Sequence, residues 1–483
     1  MTEKLIFITG GVVSGLGKGI TTASIGRILL SRGFDVTCIK IDPYLNSDAG
    51  TMRPTEHGEV FVTDDGGEID QDLGNYERFL NQNLTKRHNI TTGQVYKTVI
   101  DRERRGDYLG KTVQPIPHIT DEIKSRIMEI AKKHEVTLVE IGGTVGDYEN
   151  TLFLEAARQL RKDLGWENVV FGHVSYIVEL DCVGEQKTKP TQHSVKMLME
   201  LGIEPDFLVC RSKHEMDDVR IDKLALFCNL KKESIITNYD VESIYDVPVL
   251  LEKQELGDKI LKRMKMDGKK NKFDEWLEIA EKLKNGSKTV KIGMVGKYVT
   301  TGNFQLADSY ISVNEAIKHA AAELGARAKI EWIDSGLFEK DKNAVKILDS
   351  LDGVIVPGGF GSSGVEGKIA AIRYCREKNI PYLGLCLGLQ LAVVEHARNV
   401  CGLEGAHTTE IDPAAKNPVI DILPEQKNVT AKGATMRLGA YPALLKKGTR
   451  AYKLYEGLKQ MEKETVHERH RHRYEVNPDY AER

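Results

Sequence analysis

Short apolar runs alternate with amphipathic stretches through the first half of the chain. KLIFITG, DVTCIKI, VTLVEIGG, NVVFGHVSYIV and DFLVC read as strands, with helix-like ITTASIGRILLSRG and HSVKMLMELG between them. This rhythm predicts a doubly wound α/β domain, a parallel sheet covered by helices on both faces. Across residues 264–290 the pattern turns polar and lysine-rich, with one amphipathic helix in its middle, and reads as a linker. A fresh strand, VKIGMVG, then opens a second α/β series with AKIEWID, LDGVIVPGG and IPYLGLC. The expected organisation is a first domain over residues 1–266, a linker over 267–289 and a second domain over 290–483.

Composition narrows the function classes. The 483 residues are 41% hydrophobic, ample for packed cores, and 68 basic against 71 acidic residues leave a formal charge of -3. No global field draws such a chain to nucleic acid or to a membrane surface, so an anion site must be local. The seven cysteines (Cys38, Cys182, Cys210, Cys228, Cys375, Cys386, Cys401) are scattered without a CxxC pair, which suggests reduced thiols rather than staples or a zinc site. No apolar run approaches the roughly 20 residues that cross a bilayer. The expected address is the cytoplasm.

Candidate chemistry begins where the first strand meets Gly10-Gly11-Val12-Val13-Ser14-Gly15-Leu16-Gly17-Lys18-Gly19. Glycines let backbone N–H groups converge on a phosphate, the following helix offers its positive end, and Lys18 adds a point charge. The spelling departs from a Walker loop: five residues separate Gly11 from Gly17, and Gly19 stands where a hydroxyl belongs. A plain strand-to-helix turn is the alternative. Glu140 ends the strand VTLVE, at the sheet edge where ligands bind in such folds. The acidic stretch from Asp64 to Asp72 offers a second Mg²⁺ ligand, or is a solvated loop. Lys187-Thr188-Lys189-Pro190-Thr191-Gln192 has the donors to grip a triphosphate, and equally the look of a surface loop. Lys40 and Lys223 extend the same positive set, although Lys223 on an apolar helix is also explained by a snorkelling stem.

In the second domain Cys386 lies between Gly384 and Gly388, after a strand and before a helix, in the G-x-C-x-G pattern of a nucleophile elbow. The helix N-terminus there favours thiolate over thiol. A buried structural cysteine is the alternative. Upstream, Val356-Pro357-Gly358-Gly359-Phe360-Gly361 ends another strand in a turn whose amides suit an oxyanion hole.

The strings GGVVSGLGKG, KIDPYLNSDAGTM, HGEVFVTDDGGEIDQDLGNYERF, RRGDYLG, VEIGGTVGDYE, KTKPTQHSV and ALFCN resemble, in order and approximate spacing, those of CTP synthases. The second domain resembles a class I glutamine amidotransferase. The resemblance implies a ligase that uses ATP to phosphorylate the 4-oxygen of UTP, after which ammonia displaces phosphate to give CTP. It implies ATP binding by Gly15, Leu16, Gly17, Lys18, Gly19 and Ile20, with Lys40 beside them, and adenine near Tyr239, Asp240 and Val241. Asp72 and Glu140 match the magnesium carboxylates, and Asp72 also faces ATP. Ser14, Lys187 to Gln192 and Lys223 match UTP and CTP positions, while Asp147, Tyr148 and Glu149 match the loop that recognises CTP in feedback inhibition. Cys386 becomes the nucleophile, with Gly359, Leu387, Gly388, Leu389, Gln390, Glu410 and Arg473 on glutamine. GTP as an allosteric activator, a homotetramer and filaments are further family expectations.

One departure stands out. The family's His-Pro-Glu string near the C-terminus is missing, and the histidines after Cys386 are His396, His407, His467, His470 and His472. The tract from His467 to Arg473 interleaves arginines that would repel a metal, so glutamine recognition is the better reading of it. The expectation is a C-terminally incomplete or inactive glutaminase half with ammonia-dependent synthesis retained. Two competing readings are an amidotransferase-linked synthetase with another acceptor and a nucleotide-regulated filament scaffold.

Overall fold

The apolar runs of the first half pair into one all-parallel sheet of seven strands. These are β1 (Lys4–Gly11), β2 (Val36–Asp42), β3 (Asn89–Thr91), β4 (Val136–Ile141), β5 (Val169–Tyr176), β6 (Phe207–Ser212) and β7 (Ile235–Tyr239), in the order β7-β6-β5-β1-β4-β2-β3. The computed structural model describes residues 3–53, 57–180, 184–297, 300–301, 304–305, 307–430 and 433–483; Cys182 lies outside the described residues. Leu5, Ile6, Phe7 and Ile8 are wholly buried, because a central parallel strand has helices on both faces. Each such side chain contributes roughly 1.5–3 kcal/mol of burial. Register sets the chemistry: Ile8 of β1 lies opposite Glu140 of β4, whose other neighbour is Lys40 of β2. Helix α1 (Lys18–Ser31) is buried over most of its surface, between this sheet and α2 (Asp72–Leu80). Helices α3 (Lys189–Glu200) and α4 (Asp218–Phe227) flank β6 in sequence.

The linker is better anchored than its polarity suggests. Its helix, Asp274–Lys284, buries Trp276, whose Nε1 donates to Tyr245 O at 2.9 Å and whose ring packs on Phe79.

The chain divides into two compact units, Met1–Asp48 with Asp72–Ala280, and Ala49–Gln71 with Glu281–Arg483. In the second unit β8 (Lys288–Gly296), β9 (Ala326–Asp334), β10 (Gly353–Val356) and β11 (Tyr382–Gly384) form a parallel sheet in the order β9-β8-β10-β11. Its core includes Val356, Phe338 and Leu391, with α5 (Val365–Lys378) and α6 (Leu387–Asn399) packed against it. An antiparallel pair, β12 (Arg437–Leu444) and β13 (Thr465–His472), follows. The hairpin Val60–Val62 with Glu68–Asp70 belongs here too, although its sequence lies within the span read as the first domain. It is held by charge: Arg471 Nε donates to buried Glu68 at 2.7 Å and Arg469 Nε to Asp64 at 2.5 Å. The α/β expectation holds for both parts.

Candidate active sites

The glycine-rich turn is shaped by crowding as much as by backbone freedom. Gly15 and Gly17 adopt φ of 72° and 81°, the left-handed region that favours glycine, and Val12 is held at 80°, a strained value for a β-branched residue. The Lys18 side chain folds back across the end of β1, so a Cβ on Gly10 would lie 2.5 Å from its Cδ. Its ammonium donates to Gly143 O at 2.9 Å. Burial pushes that ammonium below its ordinary pKa, against the pull of Glu140. A cation is thereby held against the glycine turn, which suits an anionic ligand.

Beside it, strand ends converge on Lys40. Its Nζ lies 3.2 Å from Glu140 Oε1 and 3.7 Å from Asp42 Oδ1, and it also pairs closely with Asp72. Tyr76 donates to the second oxygen of Glu140, and Asn89 Nδ2 donates to Asp42 at 2.7 Å. Burial raises the pKa of both Glu140 and Asp42 despite Lys40, so this pocket holds more negative charge than its lysines comfortably offset. The carboxylate oxygens are hard donors of the kind Mg²⁺ takes, but Lys40 bridges Asp72 and Glu140, and among the described residues no group of three or more acidic, histidine or cysteine side chains is placed to hold a metal ion. Gly19 has a specific explanation: a Cβ there would stand 2.2 Å from Asp72 Oδ1. The Asp72 carboxylate fills the space that a Walker hydroxyl would use. Asp42 went unread in the sequence, although its spacing of two from Lys40 on a strand puts both on one face.

The KTKPTQ segment starts α3, which packs directly under the glycine turn. A Cβ on Gly11 would fall 1.5 Å from Ser194 Oγ and 3.0 Å from His173 Nε2. Thr191 Oγ1 donates to Tyr176 O at 3.0 Å, and Gln192 Nε2 to Thr188 Oγ1 at 3.1 Å, so these side chains brace the helix start. Lys187 and Lys189 are freer, the first paired with Glu185 at 2.5 Å and the second 5.3 Å from the Phe227 ring of α4. Lys223 is exposed on that helix, and Ser14 is exposed on the turn. Asp147 closes its own loop by accepting from Thr144 N at 2.8 Å. Tyr148 and Glu149 are exposed on the rim of a cavity of about 270 Å³ floored by apolar residues such as Ile119 and Phe153. Tyr239 ends β7 at the edge of the sheet, and Asp240 and Val241 follow it, Asp240 pairing with Arg211 at 2.6 Å.

Cys386 sits on strained backbone, φ 50° and ψ -110°, between β11 and α6. The strain is its own; the flanking glycines serve another purpose. A Cβ on Gly388 would lie 1.9 Å from Val356 O, and one on Gly384 would lie 2.5 Å from Tyr382 Oη. The elbow therefore needs glycine for close approach. The cysteine is reached from a cavity of about 450 Å³ that also gathers Gly359, Gln390, Glu410 and Arg473. Gln390 Nε2 donates to Tyr474 O at 2.8 Å, and Arg473 bonds Gln426 at 2.6 Å and Thr435 Oγ1 at 2.7 Å. Leu387 is instead core, Gly388 abuts β10, and Leu389 is exposed. The sequence did not foretell Gly50, Thr51 and Met52 in the same cavity. Among the described residues, Sγ donates to Arg471 O at 3.9 Å and to no histidine. Cys386 is exposed to its cavity, yet partial desolvation of Sγ raises the thiol pKa, outweighing the Leu387 N–H at the helix start, which acts in the direction expected from sequence. His470 and His472 hydrogen-bond each other at 2.9 Å, and burial lowers both of their pKa values.

Comparison with known families decides the membership. A model described as CTP synthase N-terminus matches residues 4–266, more than half of the chain. The chain belongs to the CTP synthase family. A class I glutamine amidotransferase model matches residues 305–483. A CTP synthase of Pyrococcus furiosus is 57% identical over 479 residues, covering 99% of this chain and 87% of that relative. CTP synthases of Pyrococcus horikoshii and Methanocaldococcus jannaschii are 58% and 56% identical, again over 99% of this chain and over 87% and 88% of theirs. A solved structure of the Trypanosoma brucei CTPS glutaminase domain with bound acivicin matches 40% of this chain and 70% of that one at 38% identity, with a TM-score of 0.36. Among the described residues no helix is long and apolar enough to cross a membrane.

Proposed function

We propose that this member of the CTP synthase family makes CTP for pyrimidine nucleotide biosynthesis. ATP donates its γ-phosphoryl group to the 4-oxygen of UTP, and ammonia displaces that phosphate, leaving CTP, ADP and phosphate. The observation that carries the reading is the meeting of Lys18, Lys40, Asp72 and Glu140 at the strand ends, with the KTKPTQ helix packed under the same glycine turn. Phosphoryl transfer mainly needs in-line positioning and charge neutralisation, which such a cluster can supply without a protein nucleophile. In this reading Gly15 to Ile20 cradle ATP phosphates, and Tyr239 to Val241 take adenine three strands away, about 14 Å. Ser14, Lys187 to Gln192 and Lys223 grip the UTP triphosphate. Asp72 and Glu140 would hold Mg²⁺, which neutralises phosphate charge when bound.

The second unit has the parts of a glutaminase, Cys386 as nucleophile with Gly359, Gln390, Glu410 and Arg473 around the substrate, but among the described residues no histidine bonds Sγ, so ammonia is the donor expected to sustain synthesis and glutamine use is expected to be weak or lost. CTP would inhibit through Asp147, Tyr148 and Glu149, and GTP would activate the glutaminase. A cytoplasmic homotetramer completes the reading; the exposed Val219, Leu226 and Phe227 of α4 are apolar surface suited to assembly. Family membership removes the favour from another acceptor or a filament scaffold. The test is CTP formation from UTP and ATP, with ammonium and separately with glutamine. UTP-dependent ADP release with ammonium is expected, and its absence would sink the reading.

A further inference from the structure

Lys368 is among the largest fully buried side chains of the molecule. It projects from α5, and its Nζ donates to Pro357 O at 3.2 Å. Among the described residues no carboxylate pairs with it. An ammonium withdrawn from water without a carboxylate costs several kcal/mol, so packing alone does not explain its place here. The carbonyl it holds belongs to the turn that faces the nucleophile: a Cβ on Gly358, the next residue, would lie 3.4 Å from Cys386 Cβ and 3.8 Å from Sγ.

We propose that Lys368 is a positioning residue for Cys386, its ammonium holding the Pro357–Gly359 turn against the cysteine and supplying the positive charge that favours the thiolate. This rests on reading Cys386 as the nucleophile. The charged groups around the pair are few. Arg471 and Lys368 favour the thiolate while Glu410 opposes it, and Lys297 opposes the ammonium that Cys386 favours. Burial acts against both charges, raising the thiol pKa and lowering Lys368 to about 7. The Leu387 N–H and Arg471 favour the thiolate more strongly than Lys368 does, so the ammonium adds its charge to theirs while holding the turn, and Cys386 in return favours the ammonium.

The test is the pH dependence of Cys386 alkylation by iodoacetamide, followed by peptide mass mapping, in the full chain and in Lys368→Met. Circular dichroism and a denaturant melt report whether the second unit stays folded in the variant, and ammonia-driven CTP synthesis reports the first unit. The expected result is a rise of about one unit in the apparent thiol pKa of the variant and a roughly tenfold slower reaction at pH 7. Superimposable profiles would overturn the proposal, even if glutamine hydrolysis were lost. If the wild-type chain releases no ammonia from glutamine but the profile still shifts, the glutaminase reading fails and Lys368 keeps its role. Should Lys368→Met not fold, Lys368→Gln takes its place, a polar side chain without the charge: the same rise in apparent thiol pKa is expected, and a profile superimposable on wild type overturns the proposal.

Discussion

At the strand ends of the first unit, Lys18 and Lys40 face Asp42, Asp72 and Glu140, whereas the second unit places one thiol on strained backbone walled by glycines. The first site is built from opposing charges whose geometry comes from register, since Lys40 and Glu140 are cross-strand neighbours. The second is built from close approach, with Gly388 lodged against Val356 O and Gly384 against Tyr382 Oη and the Gly388 backbone. A charge cluster tolerates small shifts of flexible carboxylate ends but not the loss of a charge. An elbow tolerates changes of charge around it but not the addition of a methyl group.

Removing a charge should therefore have the largest effect. Lys18→Ala is expected to lower CTP formation about 10³-fold with either nitrogen donor, because phosphate charge goes uncompensated. Comparable steady-state rates in the variant would show that the turn is only a turn. Adding a methyl group should come second. Gly388→Ala drives a Cβ into backbone that cannot yield, and alkylation of Cys386 by a glutamine-like electrophile should slow about 10²-fold. Ammonium-driven synthesis should stay near wild type. An equal loss of ammonium-driven synthesis would mean that the damage extends beyond the elbow.

These contrasts track what the sequence could reveal. GGVVSGLGKG, VEIGG and KTKPTQ were legible because each is continuous, and a strand followed by glycine points to the ligand edge of a parallel sheet. The second strand of Lys40 was equally legible, and Asp42 was within reach by alternation. Gly50, Thr51 and Met52 were not, because they belong to a segment, Ala49–Gln71, whose sequence lies inside the first apolar series but which packs with the second unit. Periodicity reports which residues are buried, not which unit buries them. Lys368 was hidden for a similar reason, since a lysine inside VEGKIAAIRY reads as a solvated helix face until its ammonium is found on Pro357 O.

The third effect lies beneath the glycine turn. Buried His173 accepts at Nε2 from Ser194 Oγ and donates from Nδ1 to Thr9 Oγ1, both at 2.8 Å, and Thr9 in turn donates to Gly172 O. The neutral imidazole satisfies every partner, and burial with Lys18 nearby lowers its pKa to about 3. A folded-state value below the unfolded one, about 6.5, gives stability that is present above pH 6.5 and is lost as pH falls toward 3. Between pH 7 and pH 5 the wild type should lose about 2 kcal/mol from this group, and His173→Gln should lack that loss. Denaturant melts of both chains at the two pH values check it. A parallel decline in the two would mean that His173 is protonated in the folded protein.

The smallest effect sharpens the contrast most, because it adds a methyl group to the charged site. In Gly19→Ala the new Cβ meets Asp72 Oδ1 at 2.2 Å, as close an approach in kind as that of Gly388 to Val356 O. Here the neighbour is the end of a flexible side chain, so it can swing aside while α1 and the sheet stay in place. The cost then falls on whatever Asp72 was holding. Ammonium-driven turnover at saturating Mg²⁺ should remain within a few-fold of wild type, while the Mg²⁺ concentration for half-maximal rate rises about tenfold, the usual scale for disturbing a metal site's supporting geometry. A titration of rate against Mg²⁺ at fixed ATP measures this directly. An unchanged Mg²⁺ requirement would take Asp72 out of the metal site and leave Gly19 explained by packing alone; a collapse like that expected for Gly388→Ala would show that the charged site is as rigid as the elbow.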